Sequence, residues 1–352
     1  MTTKYLDSKR ISGTTADREG VTGVTGGWKE LGRTTLGSDT STIDVSSIPD
    51  KRYYMILMDY TQTSDFAGLH RLGNSSIDTG NNYHNRQSSN GGTDASSQAT
   101  YVRLDNGWQS GDRKFAVEYI ANKSDKEKLI LNHMVRSVTT GAGQAPQRSE
   151  VASKWANTSN VLDKFQMMNG GTYADGSEVV VLGWDEDDTH TTNFWEELAS
   201  VTTGSAGDTL QSGTISAKKY LWIQASYKND GAADINALPR FNGDGGANYS
   251  KRTSTNGAAD NARTGRTWID LESGGQTQRF ANMFIINNAS NEKLCIFNQM
   301  DYGASGASTA PNRIEGVAKW SNTSDQITSI EWDQRDAGNY AAGAELKVWG
   351  SN

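Results

Sequence analysis

Few side chains in this 352-residue sequence are spaced for chemistry. The four histidines, His70, His84, His133 and His190, are scattered, and none stands at the short spacing that brings two ligands onto one zinc ion. A phosphate loop, a dinucleotide fingerprint and a nucleophile elbow are all absent from the sequence. Glycoside hydrolysis needs two carboxyl groups about 5 to 10 Å apart. The pairs of the right type are Glu150 with Glu178 and Glu315 with Glu345, and they read as surface or turn residues. The run Asp185-Glu186-Asp187-Asp188-Thr189-His190 offers hard oxygen ligands, but it lacks the ligand spacing and the glycine of a calcium loop. It reads as a solvated, self-repelling linker. No catalytic residue, metal or cofactor is expected.

Two polar-aromatic sets remain. Tyr83 with Arg86 and Tyr249 with Arg252 stand in matching stretches, Gly80-Asn-Asn-Tyr83 and Gly246-Ala-Asn-Tyr249. They allow three readings: an edge on which a sugar stacks, a subunit contact of the residue types enriched there, or a tyrosine packing its own loop. The single cysteine, Cys295, excludes an internal disulfide and reads as a small core residue.

The elements that position these residues come in two copies. Ala145–Ser159 (APQRSEVASKWANTS) returns as Ala310–Ser324 (APNRIEGVAKWSNTS) with nine of fifteen positions identical. Further matches keep the same order: Trp28-Lys-Glu-Leu31 with Trp195-Glu-Glu-Leu198, Lys51-Arg-Tyr53 with Lys218-Lys-Tyr220, and Glu127-Lys-Leu129 with Glu292-Lys-Leu294. Asn90-Gly91 and Asp94 match Asn256-Gly257 and Asp260. A period of this length implies a tandem duplication of one domain-sized module. The expected organisation is an N-terminal arm over residues 1–27, a first domain over 28–184, an acidic linker over 185–194 and a second domain over 195–352. The arm is flexible or orders on a neighbouring subunit.

Each module reads as strands. Tyr53 to Tyr60 is an apolar run of central-strand length. Phe115, Val117 and Tyr119 alternate with Ala116 and Glu118, and Asn-Gly turns punctuate the chain. The 37 glycines suit many turns, and about seven to nine strands per module predict an all-β fold of two antiparallel sandwiches or jelly rolls. Val179–Trp184 and Leu346–Trp349 are expected to close their sandwiches. Pro146 and Pro311 should set the chain just before a strand, and Trp155 and Trp320 should lie on the core face or rim. These four are framework residues.

No stretch approaches the roughly 18 apolar residues of a membrane helix. The N-terminal residues lack the apolar core of a secretory signal. A net charge of −7 argues against a direct nucleic-acid partner, which favours a basic face.

The stretches Trp28–Ser38 (WKELGRTTLGS), Lys51–Leu57 (KRYYMIL), Ser89–Asp94 (SNGGTD), Ala145–Ser159 and Gly176–Gly183 (GSEVVVLG) resemble a repeated β-sandwich of virion structural proteins from marine phages and related viruses. The resemblance covers both modules and carries no catalytic signature. It implies a non-enzymatic protein of the virion exterior, made in the host cytoplasm: a capsid-decorating, head-fibre or tail-associated subunit. It also implies self-association, into a closed ring such as a trimer, through sandwich edges and loops beside other virion proteins. A double jelly-roll major capsid protein is the alternative within that class. A carbohydrate-binding module or adhesin, with a host-surface glycan as partner, is the alternative outside it.

Overall fold

The computed structural model describes residues 27–105, 110–185, 188, 192–231, 236–271, 277–302, 306–334 and 338–352. The expected arm, residues 1–27, lies outside them except for Gly27. The described residues contain no helix, and so none long and apolar enough to cross a membrane. They form antiparallel sheets throughout.

Two compact units are present. Unit 1 holds the described residues up to Arg136 together with Arg148–Trp195, and unit 2 holds Ser137–Gln147 together with Glu196–Asn352. The boundaries therefore differ from the expected 28–184 and 195–352. Unit 1 continues through Phe194 and Trp195, and Ser137–Gln147 goes with unit 2.

The strands of unit 1 are β1 (Lys29–Thr35), β2 (Thr40–Ser46), β3 (Tyr53–Thr61), β4 (Leu69–Asn74), β5 (Ser76–Ile77), β6 (Tyr83–Ser89) and β7 (Ala95–Ala99). They continue with β8 (Val102–Arg103), β9 (Arg113–Ala121), β10 (Lys128–Arg136), β11 (Gln147–Trp155), β12 (Lys164–Tyr173) and β13 (Glu178–Trp184). Unit 2 begins with β14 (Glu196–Thr202), β15 (Thr209–Thr214), β16 (Tyr220–Tyr227), β17 (Ala237–Phe241) and β18 (Tyr249–Thr255). It continues with β19 (Asn261–Arg266), β20 (Arg279–Ile286), β21 (Lys293–Asp301), β22 (Asn312–Trp320), β23 (Ser329–Gln334) and β24 (Glu345–Ser351). The strands outnumber the expectation because Ser, Asn and Gly turns split polar stretches into short edge pieces such as β5 and β8.

In unit 1 a large sheet runs β1-β13-β3-β9-β10-β11-β6-β7 and a smaller one runs β2-β12-β4-β5, with β8 on β4. In unit 2 the large sheet runs β14-β24-β16-β20-β21-β22-β18-β19 and the small one β15-β23-β17. With the two-residue strands β5 and β8 left out of the count, the strands of the two large sheets follow the same order. The expectation that Val179–Trp184 and Leu346–Trp349 close their sandwiches is corrected. β13 lies between β1 and β3, and β24 between β14 and β16, so each is flanked on both sides.

Alternation along β3 sends Tyr54, Ile56, Met58 and Tyr60 inward, against Ile43, Phe165 and Met167 of the small sheet. In unit 2 the same layer is built by Leu221, Ile223, Ala225 and Tyr227 against Leu210, Ile330 and Trp332. Each Leu, Ile, Phe or Met of these layers contributes about 1.5–3 kcal/mol on burial. The apolar run at Tyr53–Tyr60 is explained by the second face: Met55 and Leu57 point away from this core and are buried too.

One core position separates the units. In unit 1, His70 on β4 and Glu118 on β9 are both fully buried and meet at 2.9 Å, and Asn132 on β10 pairs in register with Glu118. The matching registers of unit 2 hold Pro239, Met283 and Phe297. This layer is thus polar in unit 1 and apolar in unit 2.

Candidate functional site

The tyrosines expected on a ligand edge are core residues. Tyr83 is 1% exposed and Tyr249 is 0% exposed. Each begins a strand and points inward, where its ring stacks on a tryptophan: Tyr83 on Trp155 with centroids 6.4 Å apart, Tyr249 on Trp320 at 6.3 Å. Their hydroxyls serve the backbone. Tyr83 donates to the Leu72 carbonyl at 3.0 Å and accepts from the Leu72 amide, and Tyr249 treats Phe241 in the same way. Neither ring has a free face for a sugar, so the packing of the tyrosine on its own loop is what the structure holds. Arg86 is exposed and faces Asp94 at 3.6 Å, whereas Arg252 is half-buried and donates to the Pro146 carbonyl at 2.9 Å.

The framework residues behave as their types suggest. Pro146 and Pro311 precede the strands that carry Trp155 and Trp320. Two aspartates that the sequence reading passed over complete the pattern. Asp78 Oδ2 accepts from the Trp155 indole at 2.7 Å, and Oδ1 accepts from the Gly80 amide at 2.8 Å. Asp244 repeats this with Trp320 at 2.7 Å and Gly246 at 2.8 Å. Burial opposes ionisation of both carboxyls, but the hydrogen bonds from tryptophan, asparagine and glycine outweigh it and hold them below the usual Asp value. The signal was available as Asp-x-Gly-x-Asn-Tyr, repeated at Asp78–Tyr83 and Asp244–Tyr249.

The candidate acid pairs do not meet. Glu150 is on β11 and Glu178 on β13, four strand steps apart in the sheet order, or about 19 Å at the usual strand spacing. Glu315 and Glu345 are separated by the same four steps. Each is also engaged or solvated: Glu150 contacts Arg148, Glu178 takes bonds from Arg33 and Thr35, Glu315 pairs with Arg313 at 3.1 Å, and Glu345 is exposed.

Among the described residues no three His, Cys, Asp or Glu side chains are grouped to hold a metal ion. In the acidic run, Asp185 and Asp188 both lie against the Lys51 ammonium and Asp185 accepts from the Arg52 amide. This described part is charge-paired and is not a free linker. Glu186, Asp187, Thr189 and His190 lie outside the described residues. Cys295 is fully buried, and burial raises its thiol well above the usual range.

What the structure brings together instead is a surface. On the outward face of unit 1's large sheet, Tyr53, Tyr119, Leu129 and Leu131 are neighbours in register across β3, β9 and β10. Leu129 is 59% exposed and Leu131 is 60% exposed. Trp184 stacks on Tyr53 at 5.8 Å and Trp28 lies 6.5 Å from Tyr119. Lys154 of β11 pairs with Glu127 at 2.8 Å beside them, and His84 and Arg86 of β6 lie one strand further. The corresponding positions of unit 2, Tyr220, Phe284, Leu294, Ile296, Lys319 and Ser250, are all buried. Alternation puts Leu129 and Leu131 on one face of their strand, but the register to Tyr119 and the wetness of that face come only from the folded chain.

No family model matches the chain, and no curated protein matches it. Among solved structures, the LG1–3 region of the laminin alpha2 chain matches at 8% identity, over 91% of this chain and 62% of that one, with a TM-score of 0.24. The chain thus spans less than two thirds of that laminin region. Mouse laminin alpha1 domains LG4–5 match at 10% identity, over 90% and 88% of the two chains, with a TM-score of 0.19. Superpositions this loose carry nothing about what the chain binds.

Proposed function

We propose that the chain is a non-enzymatic structural subunit that assembles with copies of itself, in the virion-exterior role its sequence resemblance implies, and that its two units descend from a duplicated β-sandwich. The observation that carries self-assembly is the outward face of unit 1, with Leu129 and Leu131 wet and Tyr53 and Tyr119 beside them. Contiguous apolar surface of this kind, edged by lysine and arginine, is what protein contacts use.

The face and the loops, more than the edges, are the assembling surface. Edge strand β7 is Ala-Ser-Ser-Gln-Ala and edge strand β19 carries Arg263 and Arg266. Short polar edges of this type resist pairing with another strand. The glycan alternative has lost Tyr83 and Tyr249 as platforms.

Light scattering at micromolar concentration tests the reading. The wild-type chain should have a mass of several protomers, and Leu131→Asp should reduce it to one without lowering the melting temperature. A wild-type monomer would sink the proposal.

A further inference from the structure

In unit 2 the corresponding face holds a segment of the chain along its β18 and β22 side. The segment Ser137–Gln147 lies on the outward side of β18 and β22 and is held through its peptide groups. Lys319 Nζ donates to the carbonyl of Ser137 at 3.1 Å and to that of Thr139. Ser250 Oγ donates to the Gln144 carbonyl at 3.0 Å, Arg252 Nε to the Pro146 carbonyl at 2.9 Å, and the Gly265 amide to the Ala142 carbonyl at 2.9 Å. The Gly141 amide donates to Glu292. In these bonds the face reads the segment's backbone path and none of its side chains. A second stretch that follows the same path would satisfy the same donors.

The chain contains that stretch. Gly306-Ala-Ser-Thr-Ala-Pro311 repeats Gly141-Ala-Gly-Gln-Ala-Pro146. The leading glycines have the same left-handed backbone, φ 91° at Gly141 and 89° at Gly306, a conformation other residues adopt only at a cost. Pro311 fixes the other end as Pro146 does. Yet Gly306–Pro311 is exposed along its whole length, beside Met300, which is 46% exposed.

The receiving set is also duplicated. Lys319, Glu292 and Arg252 correspond to Lys154, Glu127 and Arg86. Lys154 and Glu127 are already paired at 2.8 Å with side chains 45% and 38% exposed. Arg86 faces Asp94 as Arg252 faces Asp260. One unit thus has the face with its segment in place, the other has the face bare, and a spare segment stands free.

We propose that the Gly306–Pro311 segment of one copy docks on the β6, β10 and β11 face of unit 1 in a second copy. By the same pattern Arg86 donates to the Pro311 carbonyl, Glu127 accepts from the Gly306 amide, and Lys154 donates to the Tyr302 carbonyl just upstream, bringing the segment beside Leu129 and Leu131. The contact is heterologous, because segment and face are different surfaces of the same chain. It generates an open chain of copies, or a ring where the rotation closes. This rests on the self-assembly reading and names the surface that performs it.

Complementation tests it. Arg86→Glu with Lys154→Glu removes the receiving face, and Gly306→Val removes the segment's backbone path. All three positions lie at the surface, so each variant should stay folded, with Gly306→Val lowering the melting temperature modestly through its left-handed backbone; a melting scan checks this. Each variant alone should be monomeric, with association weakened at least about thirtyfold, the usual loss when one side of a charged contact is removed. Mixed together, the two should form dimers and nothing longer, since only one competent face and one competent segment remain. A wild type that assembles while either variant assembles equally well, or while the mixture stays monomeric, overturns this placement and leaves self-assembly standing. A monomeric wild type overturns both.

Discussion

Trp155 donates its indole hydrogen to Asp78 at 2.7 Å, and Trp320 donates to Asp244 at the same 2.7 Å. Each tryptophan is 1% exposed, so each aspartate is the acceptor that lets a large ring with one polar atom enter the core. Asp78→Ala or Asp244→Ala leaves a buried donor without its charged acceptor. The expected loss is about 2 kcal/mol for either variant, measured as a shift of the urea midpoint. An unchanged midpoint would reduce the pair to a surface contact.

The same carboxylates set an acid limit. Their folded values lie below the ordinary 3.8. In the window below 3.8 the unfolded chain therefore binds more protons than the folded one, and stability falls as pH falls. Their contribution should be whole above pH 3.8 and vanish as pH drops through the depressed folded values. Urea midpoints of wild type and Asp78→Ala, taken from neutral pH down to about 2, should converge at the acid end. A constant gap would mean that the carboxylate's charge is not what stabilises.

This sandwich was legible where the physics is local. Period-two alternation located β9, the apolar run located β3, and the repeated Ala-Pro to Asn-Thr-Ser stretch located β11 and β22 with their tryptophans. Three things were hidden because they depend on partners far along the chain. Tyr83 and Tyr249 looked like loop residues beside arginines, but Trp155 and Trp320 draw them inward. Glu118 lies in an alternating strand and gives no hint that His70, on the opposite sheet, meets it. The exposure of Leu129 and Leu131 depends on whether anything lies over β10, and a strand's own sequence does not encode that.

The buried His70–Glu118 contact should be removable only as a pair. Replacing Glu118 alone with Met leaves His70 enclosed without its acceptor and should cost about 3 kcal/mol. His70→Leu combined with Glu118→Met moves this layer toward the apolar filling at Pro239 and Met283. The double variant should recover part of that loss but stay about 1–3 kcal/mol below wild type, because the buried Asn132 amide still lacks its acceptor. Chemical denaturation of the four species in this cycle gives the coupling directly, and a purely additive result would remove the contact from the account.

Cys295 serves as a reporter of unit 2. It is fully buried on β21, and a buried thiol raised in pKa reacts slowly with disulfide reagents. Labelling should be negligible in native buffer and become rapid in the urea range where unit 2 unfolds. Rapid labelling of the native chain would show that β21 opens locally.

Lys154 and Lys319 occupy one position of the repeat and should differ sharply on truncation. Lys154 is 45% exposed and pairs with Glu127 at the surface, where such pairs contribute about 0.2–1 kcal/mol. Lys319 is fully buried, lies 3.5 Å from Glu292, and donates to the carbonyls of Ser137 and Thr139. Removing its ammonium strips a buried carboxylate and two carbonyls of a donor, a loss of about 3 kcal/mol. Lys154→Ala should therefore leave the monomer's urea midpoint almost unmoved, while Lys319→Ala lowers it clearly and makes the peptide bonds of Ser137–Gln147 accessible to protease. Were the two variants equally stable, burial beneath that segment would not be what sets the two lysines apart.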